Sequence, residues 1–398
     1  MYETEFLIVG AGIIGLTLAR ELLLQGADKI IILEKESGLG FHASGRNSGV
    51  LHAGIYYPPE TLKAKLCLQG NLLMQDYCRE KGLPLVNCGK VVVARDASEL
   101  PTLERLFKRS QENGAKVEMI DEKQLAEIEP NAKTVGQALY SHYTASVDNK
   151  AVLASLERDL LGSGQVEILY NCRFNQLKDE FTAITSLSLI RFKTFINAAG
   201  AYADKVAHHF DVGRDYYFIP FKGIYQKLIP EKNHLVNGNI YPVPNLKSPF
   251  LGVHFSKNIS GDVYVGPTAI PAFGRENYGI LRGIDKEMFK IIGNEIVLCF
   301  TNAEFRSVAL EEPKKYVPKY FYRDAKKLVK ALEPEWLTKT SKAGIRPQLI
   351  SLKEKKLMMD FLVMKERHSL HILNAISPAF TSSMAFSKYI IDKYLGGD

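Results

Sequence analysis

The first residues that could perform chemistry form a glycine fingerprint near the start of the chain. Gly10, Gly12 and Gly15 have the spacing G-x-G-x-x-G, between an apolar run at 6–9 and the helical periodicity that follows. In this pattern the first glycine permits a tight turn, the second lets the backbone approach a pyrophosphate, and the third brings the helix close to the sheet. The pyrophosphate would lie on the free N–H groups at the helix N-terminus. Glu34 ends the next apolar run, where an acid accepts ribose hydroxyls. The fingerprint therefore predicts a dinucleotide site.

A second loop and a second strand distinguish FAD from NAD. Residues 45–49, Gly-Arg-Asn-Ser-Gly, form a loop of small and hydrogen-bonding residues soon after the second strand. A later apolar strand, 194–197, runs directly into Ala-Ala-Gly at 198–200. An NAD dehydrogenase would instead continue with more alternating strand–helix units. The two segments together indicate a cofactor long enough to thread through the protein, so we expect FAD.

The elements that must position these residues follow two kinds of pattern. Residues 6–33 read as strand, helix and strand, and a right-handed crossover between parallel strands gives a βαβ unit. From 216 to 271, short β-type runs between prolines and glycines predict an antiparallel sheet. Helical periodicity is predicted at 62–81, 98–113, 152–161 and 286–332, and a strand, a turn and a helix at 371–394.

We therefore expect an α/β protein in which a Rossmann-type FAD-binding domain is interleaved with an α+β substrate domain that contains an antiparallel sheet. The length of 398 residues allows about two to three domains. Nucleotide-type segments lie at the start, near the middle and at the end of the chain, which argues against a simple division into halves. The predicted FAD-binding domain comprises 1–81, 148–215 and 341–398, and the predicted substrate-binding domain comprises 82–147 and 216–340.

Composition excludes several classes of protein. Apolar residues make up 46% and charged residues 24%, which excludes a disordered tail, a fibrous repeat and a polytopic membrane protein. Five cysteines without a C-x-x-C pair argue against a disulfide framework, a structural zinc site and a flavin disulfide reductase, and no metal site is expected. The longest apolar stretch, 6–19, is too short to span a bilayer, and no basic segment precedes it as in a signal peptide. We expect a cytoplasmic protein.

The segment around His52 carries a family resemblance. Residues 47–57, NSGVLHAGIYY, followed by LKAK at 62–65, resemble the L-2-hydroxyglutarate dehydrogenase/oxidase family within the wider D-amino-acid-oxidase-like FAD group. Arg46 is a departure, because members often carry histidine there. The resemblance covers essentially the whole chain, and further motifs follow in the family's order at 220–223, 240–244, 250–254, 266–269, 343–346 and 374–379.

The resemblance implies FAD-dependent oxidation of an L-2-hydroxy acid, in the first place L-2-hydroxyglutarate to 2-oxoglutarate, by hydride transfer from C2 to flavin N5. The implied partners are a small hydroxy diacid as substrate and a quinone or oxygen as electron acceptor. The alternatives are an amino-acid or other hydroxy-acid oxidase or dehydrogenase, and a non-catalytic flavin sensor or assembly protein. FAD-binding residues are expected at Gly10, Gly12, Ile14, Gly15, Glu34, Lys35, Ser44, Arg46, Asn47, Ser48, Gly49, Phe174, Ala199, Gly200, Gly344 and Ser383.

Oxidation of a 2-hydroxy acid requires a cation for the carboxylate and a base for the hydroxyl proton. Arg346 is the predicted clamp, because a guanidinium offers two parallel donors and its position matches the carboxylate-binding arginine of the wider group. The alternative is a surface salt bridge. His52 is the predicted base, because an imidazole with an ordinary pKa of about 6.5 accepts protons at neutral pH. The alternative is a histidine that only contacts the flavin, and His254 is the rival base.

Two further residues come from the antiparallel segment that would cover the pocket. Tyr241 matches the position of a substrate-contacting tyrosine in related amine oxidases. Lys222 or Arg46 would hold the second carboxylate of a five-carbon diacid. Because tyrosine is more often a core or rim residue and lysine is more often solvated, structural roles are the alternatives.

A basic segment at 314–330 holds seven basic residues against one acid, with aromatic residues interleaved. Ala325, Leu328, Val329 and Leu332 have the spacing of a buried helix stripe with the lysines outside, which favours a solvated helix face. Nucleic-acid binding is not expected. The alternative is peripheral docking on the anionic inner face of the cell membrane, which would suit electron delivery to a quinone.

Overall fold

The computed structural model describes residues 1–246 and 250–396. Its strands are β1 (Tyr2–Val9), β2 (Ile30–Leu33), β3 (Val50–Leu51), β4 (Leu85–Val86), β5 (Lys90–Val93), β6 (Val117–Asp121), β7 (Gln137–Ser141), β8 (Ala145–Val147), β9 (Val166–Leu169), β10 (Phe174–Asp179), β11 (Thr182–Thr185), β12 (Leu189–Asn197), β13 (Tyr216–Leu228), β14 (Asn239–Pro242), β15 (His254–Lys257), β16 (Val263–Gly266), β17 (Ile270–Pro271), β18 (Leu337–Ser351), β19 (Lys356–Leu357), β20 (Leu362–Glu366) and β21 (Ser369–Asn374). Its α-helices are α1 (Ile13–Leu24), α2 (Ala43–Arg46), α3 (Leu62–Glu80), α4 (Leu100–Glu112), α5 (Glu122–Ile128), α6 (Asn149–Gly162), α7 (Ala203–His208), α8 (Met288–Thr301), α9 (Ala303–Glu311), α10 (Pro318–Lys326) and α11 (Ala379–Tyr394).

The nucleotide-type segments build one mostly parallel sheet. β1 pairs in parallel with β2 on one side and with β12 on the other. β9 continues the sheet beyond β2, and β21 pairs in parallel with β12. Ile30, Ile31 and Ile32 are completely buried, as expected for a parallel strand that is covered on both faces. α1 connects β1 to β2, so the predicted βαβ unit is confirmed.

A second sheet contains the predicted antiparallel region. β13 pairs antiparallel with β16, β17 and β18, and β15 and β14 continue beyond β16. β5 then joins β14 in parallel, followed by β7 and β6 in antiparallel order. The antiparallel region predicted over 216–271 is confirmed, and strands from before and after it in the chain enlarge the sheet. The predicted fold class is confirmed by this combination of sheets.

Strand β18 crosses the domain boundary predicted at residue 341. It pairs with β13 along most of its length, with Arg346 opposite Phe221 and Gly344 opposite Gly223. Gly344 also lies against α2, because a Cβ at Gly344 would be 3.4 Å from the Arg46 carbonyl oxygen. β18 therefore belongs to the second sheet and places Arg346 near elements of the first part of the chain. The division into two domains stays a prediction.

The region predicted as helical at 286–332 contains α8, α9 and α10. Ala325, Leu328, Val329 and Leu332 are buried in one core cluster with residues of the second sheet, so their predicted burial is confirmed. The predicted helix stripe is wrong beyond Ala325, because α10 ends at Lys326 and the other three residues follow it. None of the helices in the described part of the chain is both long and apolar enough to cross a membrane.

Candidate active site

The turn between β1 and α1 forms the first part of the site. Gly10 has a φ of 107°, a conformation that glycine adopts without strain. A Cβ at Gly10 would lie 2.5 Å from the Ala198 carbonyl oxygen, and a Cβ at Gly15 would lie 1.9 Å from the Gly10 carbonyl oxygen. Because neither approach leaves room for a side chain, the glycines let the turn, α1 and the end of β12 pack together. α1 begins at Ile13, and its N-cap residue Gly12 has no side chain to cap the helix, so the N–H groups of its first turn that follow Ile13 can bind a ligand.

Glu34, the residue that follows β2, binds the main chain of this turn. Glu34 Oε2 accepts a hydrogen bond from the Ala11 N–H at 3.2 Å, and Oε1 accepts one from the Glu36 N–H at 3.0 Å. Burial raises the pKa of Glu34, while these two bonds act in the opposite direction. The Lys35 side chain does not contact the glycine turn. Its Nζ is paired with Glu36 and lies 2.6 Å from Glu276.

The loop around α2 faces the start of α1. Ser44 Oγ accepts a hydrogen bond from the Ile13 N–H at 3.0 Å. The Asn47 side chain donates to the Ser44 carbonyl oxygen at 2.8 Å and accepts from the Gly49 N–H at 2.8 Å. These bonds fix the predicted loop of small polar residues directly beside the glycine turn.

A cavity runs from the start of α1 to β13, β15 and β18 of the second sheet. Residues that the sequence missed also line it, among them Tyr225, Phe250, Ser377 and Thr381. Phe250 and Ser377 lie within motifs of the resemblance, but none of the four has a residue type that singles it out. The predicted site residues that line the cavity are Gly12, Ile14, Ser44, Arg46, Asn47, Ser48, His52, Gly200, Tyr241, His254, Gly344 and Arg346.

Other predicted residues lie outside the cavity wall. Gly10 and Gly15 shape the turn from behind, as described. Phe174 packs in an aromatic core, with its ring centroid 5.2 Å from that of Phe195. Ser383 is buried in α11 and its hydroxyl donates to the Phe380 carbonyl oxygen at 2.9 Å. The full set outside the wall is Gly10, Gly15, Glu34, Lys35, Gly49, Phe174, Ala199, Lys222 and Ser383.

The two residues considered for a second carboxylate differ in position. Phe221 and Gly223 line the cavity, so Lys222 between them on β13 faces the opposite side of the strand. Its Nζ donates to the Gly279 carbonyl oxygen at 2.6 Å. Arg46 lines the cavity, with its guanidinium 4.0 Å from the centroid of the Tyr278 ring.

Arg346 presents a positive charge to the cavity. Within the described residues, no carboxylate forms a hydrogen bond or an ion pair with its guanidinium, which lies 5.0 Å from the centroid of the Phe250 ring. Glu312 acts on Arg346 through space, but that carboxylate is paired with Lys315. Burial lowers the pKa of Arg346, yet an arginine stays charged at neutral pH. The site therefore holds a guanidinium that an incoming anion can pair with.

His52 lies in the loop after β3. Its backbone N–H donates to Thr381 Oγ1 at 3.2 Å, and its carbonyl oxygen accepts from Asn71 Nδ2 at 2.9 Å. Its Nδ1 atom is buried and has no hydrogen-bond partner in the described part of the chain. Burial lowers the pKa of His52 well below 6.5, and the positive charges of Lys90 and Arg346 act in the same direction. The imidazole is therefore neutral at pH 7 and can accept a proton.

His254 and Tyr241 also line the cavity. Their rings stack with centroids 3.8 Å apart, and both side chains are buried. His254 Nδ1 lies 2.8 Å from the Gly252 carbonyl oxygen, and because a carbonyl only accepts, Nδ1 carries the proton and Nε2 is left as an acceptor. Burial lowers the pKa of His254 to about 3, so this imidazole is also neutral.

Comparison with known proteins establishes the family. The sequence matches the family described as FAD dependent oxidoreductase over residues 5–393. The chain belongs to this family. L-2-hydroxyglutarate dehydrogenase, mitochondrial, of Bos taurus is 34% identical to this oxidoreductase, over 98% of the chain and 88% of the relative. L-2-hydroxyglutarate dehydrogenase of Escherichia coli is 33% identical, over 98% of the chain and 92% of the relative. The resemblance drawn from the motifs is confirmed.

Solved structures show that this oxidoreductase shares its fold with other oxidases. L-α-glycerophosphate oxidase from Mycoplasma pneumoniae with FAD bound has a TM-score of 0.78 and 24% identity, covering 98% of this chain and 94% of that one. Glycine oxidase from Geobacillus kaustophilus has a TM-score of 0.73 and 17% identity, with the same coverage of each chain.

The residues of this FAD-dependent oxidoreductase fit the cofactor. The glycine turn leaves backbone N–H groups at the start of α1 next to the cavity, an acid ends β2, and the cavity continues past α2 to the second sheet. Gly12 and the first turn of α1 would hold the pyrophosphate, and Glu34 would hold the ribose. Ser44 and Asn47 would line the path toward the flavin.

We expect Gly15→Ala to impair FAD binding. The added methyl group would lie 1.9 Å from the Gly10 carbonyl oxygen, so the turn and α1 must separate. FAD affinity should fall at least about tenfold, measured by flavin fluorescence quenching on reconstitution of the apoprotein. Gly162→Ala is the matched control, because a Cβ there meets no atom within 4 Å. Equal FAD affinity of the two variants would contradict the assignment.

Proposed function

We propose that this oxidoreductase converts L-2-hydroxyglutarate to 2-oxoglutarate with FAD as the electron acceptor. The observation that carries the proposal is the guanidinium of Arg346, which faces the cavity without a carboxylate partner in the described residues. The described residues that line the cavity include no aspartate or glutamate. A carboxylic acid substrate would supply the negative charge that the protein itself does not place there. The curated relatives named as L-2-hydroxyglutarate dehydrogenases support this substrate.

Arg346 would bind the C1 carboxylate. Its planar guanidinium can donate two parallel hydrogen bonds, which fix both the position and the plane of the acid. Arg346 lies on β18 opposite Phe221 of β13, and both residues line the cavity. The carboxylate would therefore be held against the second sheet, with C2 directed into the cavity.

His52 would take the proton of the C2 hydroxyl. It is neutral at pH 7, so the imidazole is available as an acceptor, and its main chain is held in place by Thr381 and Asn71. His254 is the second candidate, since its Nε2 is an acceptor and the residue also lines the cavity. The two histidines can be separated by comparing His52→Gln with His254→Gln.

The reaction balances with these groups. C2 loses a hydrogen with two electrons, the hydroxyl loses its proton to the histidine, and the C2–O bond becomes the carbonyl of the 2-oxo acid. FAD, when bound, supplies the acceptor for the hydrogen and the electrons from C2. The surrounding apolar residues, Phe250 and Leu251 among them, keep water from the reacting carbon.

The electron acceptor that reoxidises the flavin would be a quinone or oxygen, and an exposed apolar surface favours the quinone. Phe289 and Phe300 on α8 are 74% and 82% exposed, and Ile280 and Leu281 just before it are 85% and 77% exposed. The basic residues Arg282, Lys286 and Lys290 are interspersed and exposed. Apolar side chains flanked by cations are typical of peripheral attachment to anionic lipids. We propose this surface, rather than the basic segment 314–330, as the site of membrane association.

The substrate proposal predicts which acids reduce the flavin. Under anaerobic conditions, L-2-hydroxyglutarate should bleach the flavin absorption near ~450 nm within seconds, because it satisfies both Arg346 and the hydroxyl acceptor. D-2-hydroxyglutarate, L-lactate and L-glutamate should act at least about a hundredfold more slowly. An oxidised spectrum that persists with L-2-hydroxyglutarate, or faster bleaching by L-glutamate, would refute the proposal.

Removal of the guanidinium should weaken substrate use. In Arg346→Met we expect kcat/KM for L-2-hydroxyglutarate to fall about a hundredfold or more, because a charge-assisted pair in a partly desolvated site is lost. Arg346→Lys, which keeps the charge but not the paired donors, should recover part of the loss. FAD content, read from the absorption spectrum, should be equal in all three proteins. Unchanged kcat/KM in Arg346→Met would show that the carboxylate binds elsewhere.

The membrane proposal predicts a surface-specific effect. We expect Phe289→Ser/Phe300→Ser to lower the affinity for vesicles of phosphatidylcholine and phosphatidylglycerol, read by flotation, at least about a hundredfold, because about 1.5–3 kcal/mol of transfer free energy is lost for each phenylalanine. Leu187→Ser, which removes an exposed leucine from a different surface, should float like the unmodified protein. Equal flotation of all three proteins, or no flotation of the unmodified protein, would exclude docking through α8.

A further inference from the structure

Lys90 at the start of β5 is a buried cation without a counter-charge. Its side chain is 1% exposed. Within residues 1–246 and 250–396, its Nζ atom has no hydrogen-bond partner and forms no ion pair with a carboxylate. An unpaired ammonium in the interior costs free energy, so its retention requires a reason.

Two tyrosine rings surround this ammonium. Lys90 Nζ lies 4.6 Å from the centroid of the Tyr56 ring and 5.0 Å from that of the Tyr241 ring. Such contacts partly compensate the charge but do not neutralise it, because the rings carry no net charge. The charge is therefore still felt by groups beyond the rings.

The groups beyond the rings belong to the cavity. Tyr241 lines the cavity and stacks on His254, which also lines it. Lys90 itself is not part of the wall, but its positive charge acts on both His52 and His254. The ammonium thus lies one aromatic ring behind the surface that a ligand would contact.

We propose that Lys90 is a specificity-determining residue, whose buried charge behind the Tyr241 ring of the cavity wall favours ligands that carry a second negative charge. Arg346 pairs with one carboxylate, and the field of Lys90 stabilises a second one in the same cavity. The inference rests on the proposed function, because it requires that an acid binds here. It adds a positive charge for a dianion to that of Arg46 in the cavity wall, whereas Lys222 faces away from the cavity.

The preference for a second negative charge should depend on pH, because Lys90 loses its proton near neutral pH. Burial lowers the pKa of Lys90 to about 7, and of the groups that act on it only the thiols of Cys67 and Cys88 oppose this. The charge is therefore present below pH 7 and is lost as the pH rises above it. The neighbouring His52 and His254 are already neutral in this range, and burial raises the pKa of Cys67 to about 12.

Other amines near the cavity also titrate in this range. Burial lowers the pKa of Lys342 to about 8, and its Nζ lies 5.3 Å from the centroid of the Tyr225 ring in the cavity wall. Burial lowers the pKa of Lys63 to about 7 as well. The negative charge of Asp360 opposes this shift, and the positive charge of Arg346 adds to it. Because Asp360 also accepts the Lys63 backbone N–H at 3.0 Å, Lys63 has an acid beside it that Lys90 lacks. The pH dependence of diacid binding should therefore be reduced, rather than abolished, when Lys90 is replaced.

The test compares the binding of glutarate and butyrate, which lack a hydroxyl and cannot react, to the FAD-loaded protein. Dissociation constants would be measured at pH 6.5 and 8.5 from the perturbation of the flavin spectrum. In Lys90→Met we expect glutarate to bind about tenfold more weakly at pH 6.5, with butyrate changed less than about twofold. In the unmodified protein, the preference for glutarate should decrease from pH 6.5 to 8.5, and in Lys90→Met this decrease should be smaller.

Stability separates this role from a structural one. If Lys90 served the fold, Lys90→Met would lower Tm, whereas removal of an uncompensated charge should leave Tm unchanged or raise it. Lys65→Met, which removes an exposed lysine of α3, is the control and should alter neither Tm nor binding. Lys90→Arg, which keeps the charge, should retain the preference for glutarate if it folds.

An unchanged ratio of glutarate to butyrate affinity in Lys90→Met would overturn the inference while leaving the proposed function intact, since the latter is judged by flavin reduction. Equal affinity of the unmodified protein for glutarate and butyrate would also overturn the inference. This outcome is independent of the flavin-reduction assay that tests the proposed function. A lower Tm in Lys90→Met with no change of the ratio would assign Lys90 to the fold.

Discussion

An unpaired guanidinium is the feature on which the rest of the site depends. Arg346 is held by β18 at the wall of the cavity, and within the described residues no carboxylate pairs with it. Such a charge is costly to keep away from water unless a ligand completes it. It also requires neighbours that do not compete for it, and the two histidines that line the cavity are neutral for the same reason of burial. The protein thus keeps a site for an anion at the expense of its own stability.

The position of this charge follows from how the two sheets meet. Gly15 packs against Gly10, and Gly10 packs against the end of β12, which draws the first sheet close to the cofactor end of the cavity. At the other end, β18 pairs with β13 and brings Gly344 against α2. A single strand therefore connects Arg346, the proposed carboxylate-binding residue, to the loop that would hold the cofactor, so that substrate and cofactor would share one cavity.

Much of this could be predicted from the sequence, because local patterns encode it. The glycine fingerprint, the βαβ unit and the antiparallel region depend on spacing over a few residues. The motifs around His52 and Arg346 allowed the family to be recognised. The face of a strand was not predictable in the same way. β13 is buried on both sides, so no alternation of polar and apolar residues shows that Lys222 faces away while Phe221 and Gly223 line the cavity. Lys90 was missed because nothing local distinguishes a buried lysine at the start of a strand from a solvated one.

The measurement that tests the central claim most directly is a crystal structure of the FAD-loaded protein with 2-oxoglutarate bound. We predict that the C1 carboxylate lies within hydrogen-bond distance of both terminal nitrogens of the Arg346 guanidinium, with C2 between His52 and His254 and the second carboxylate toward Tyr56 and Tyr241. A ligand bound in this cavity without contact to Arg346, or an Arg346 turned toward a carboxylate of the protein, would contradict the account.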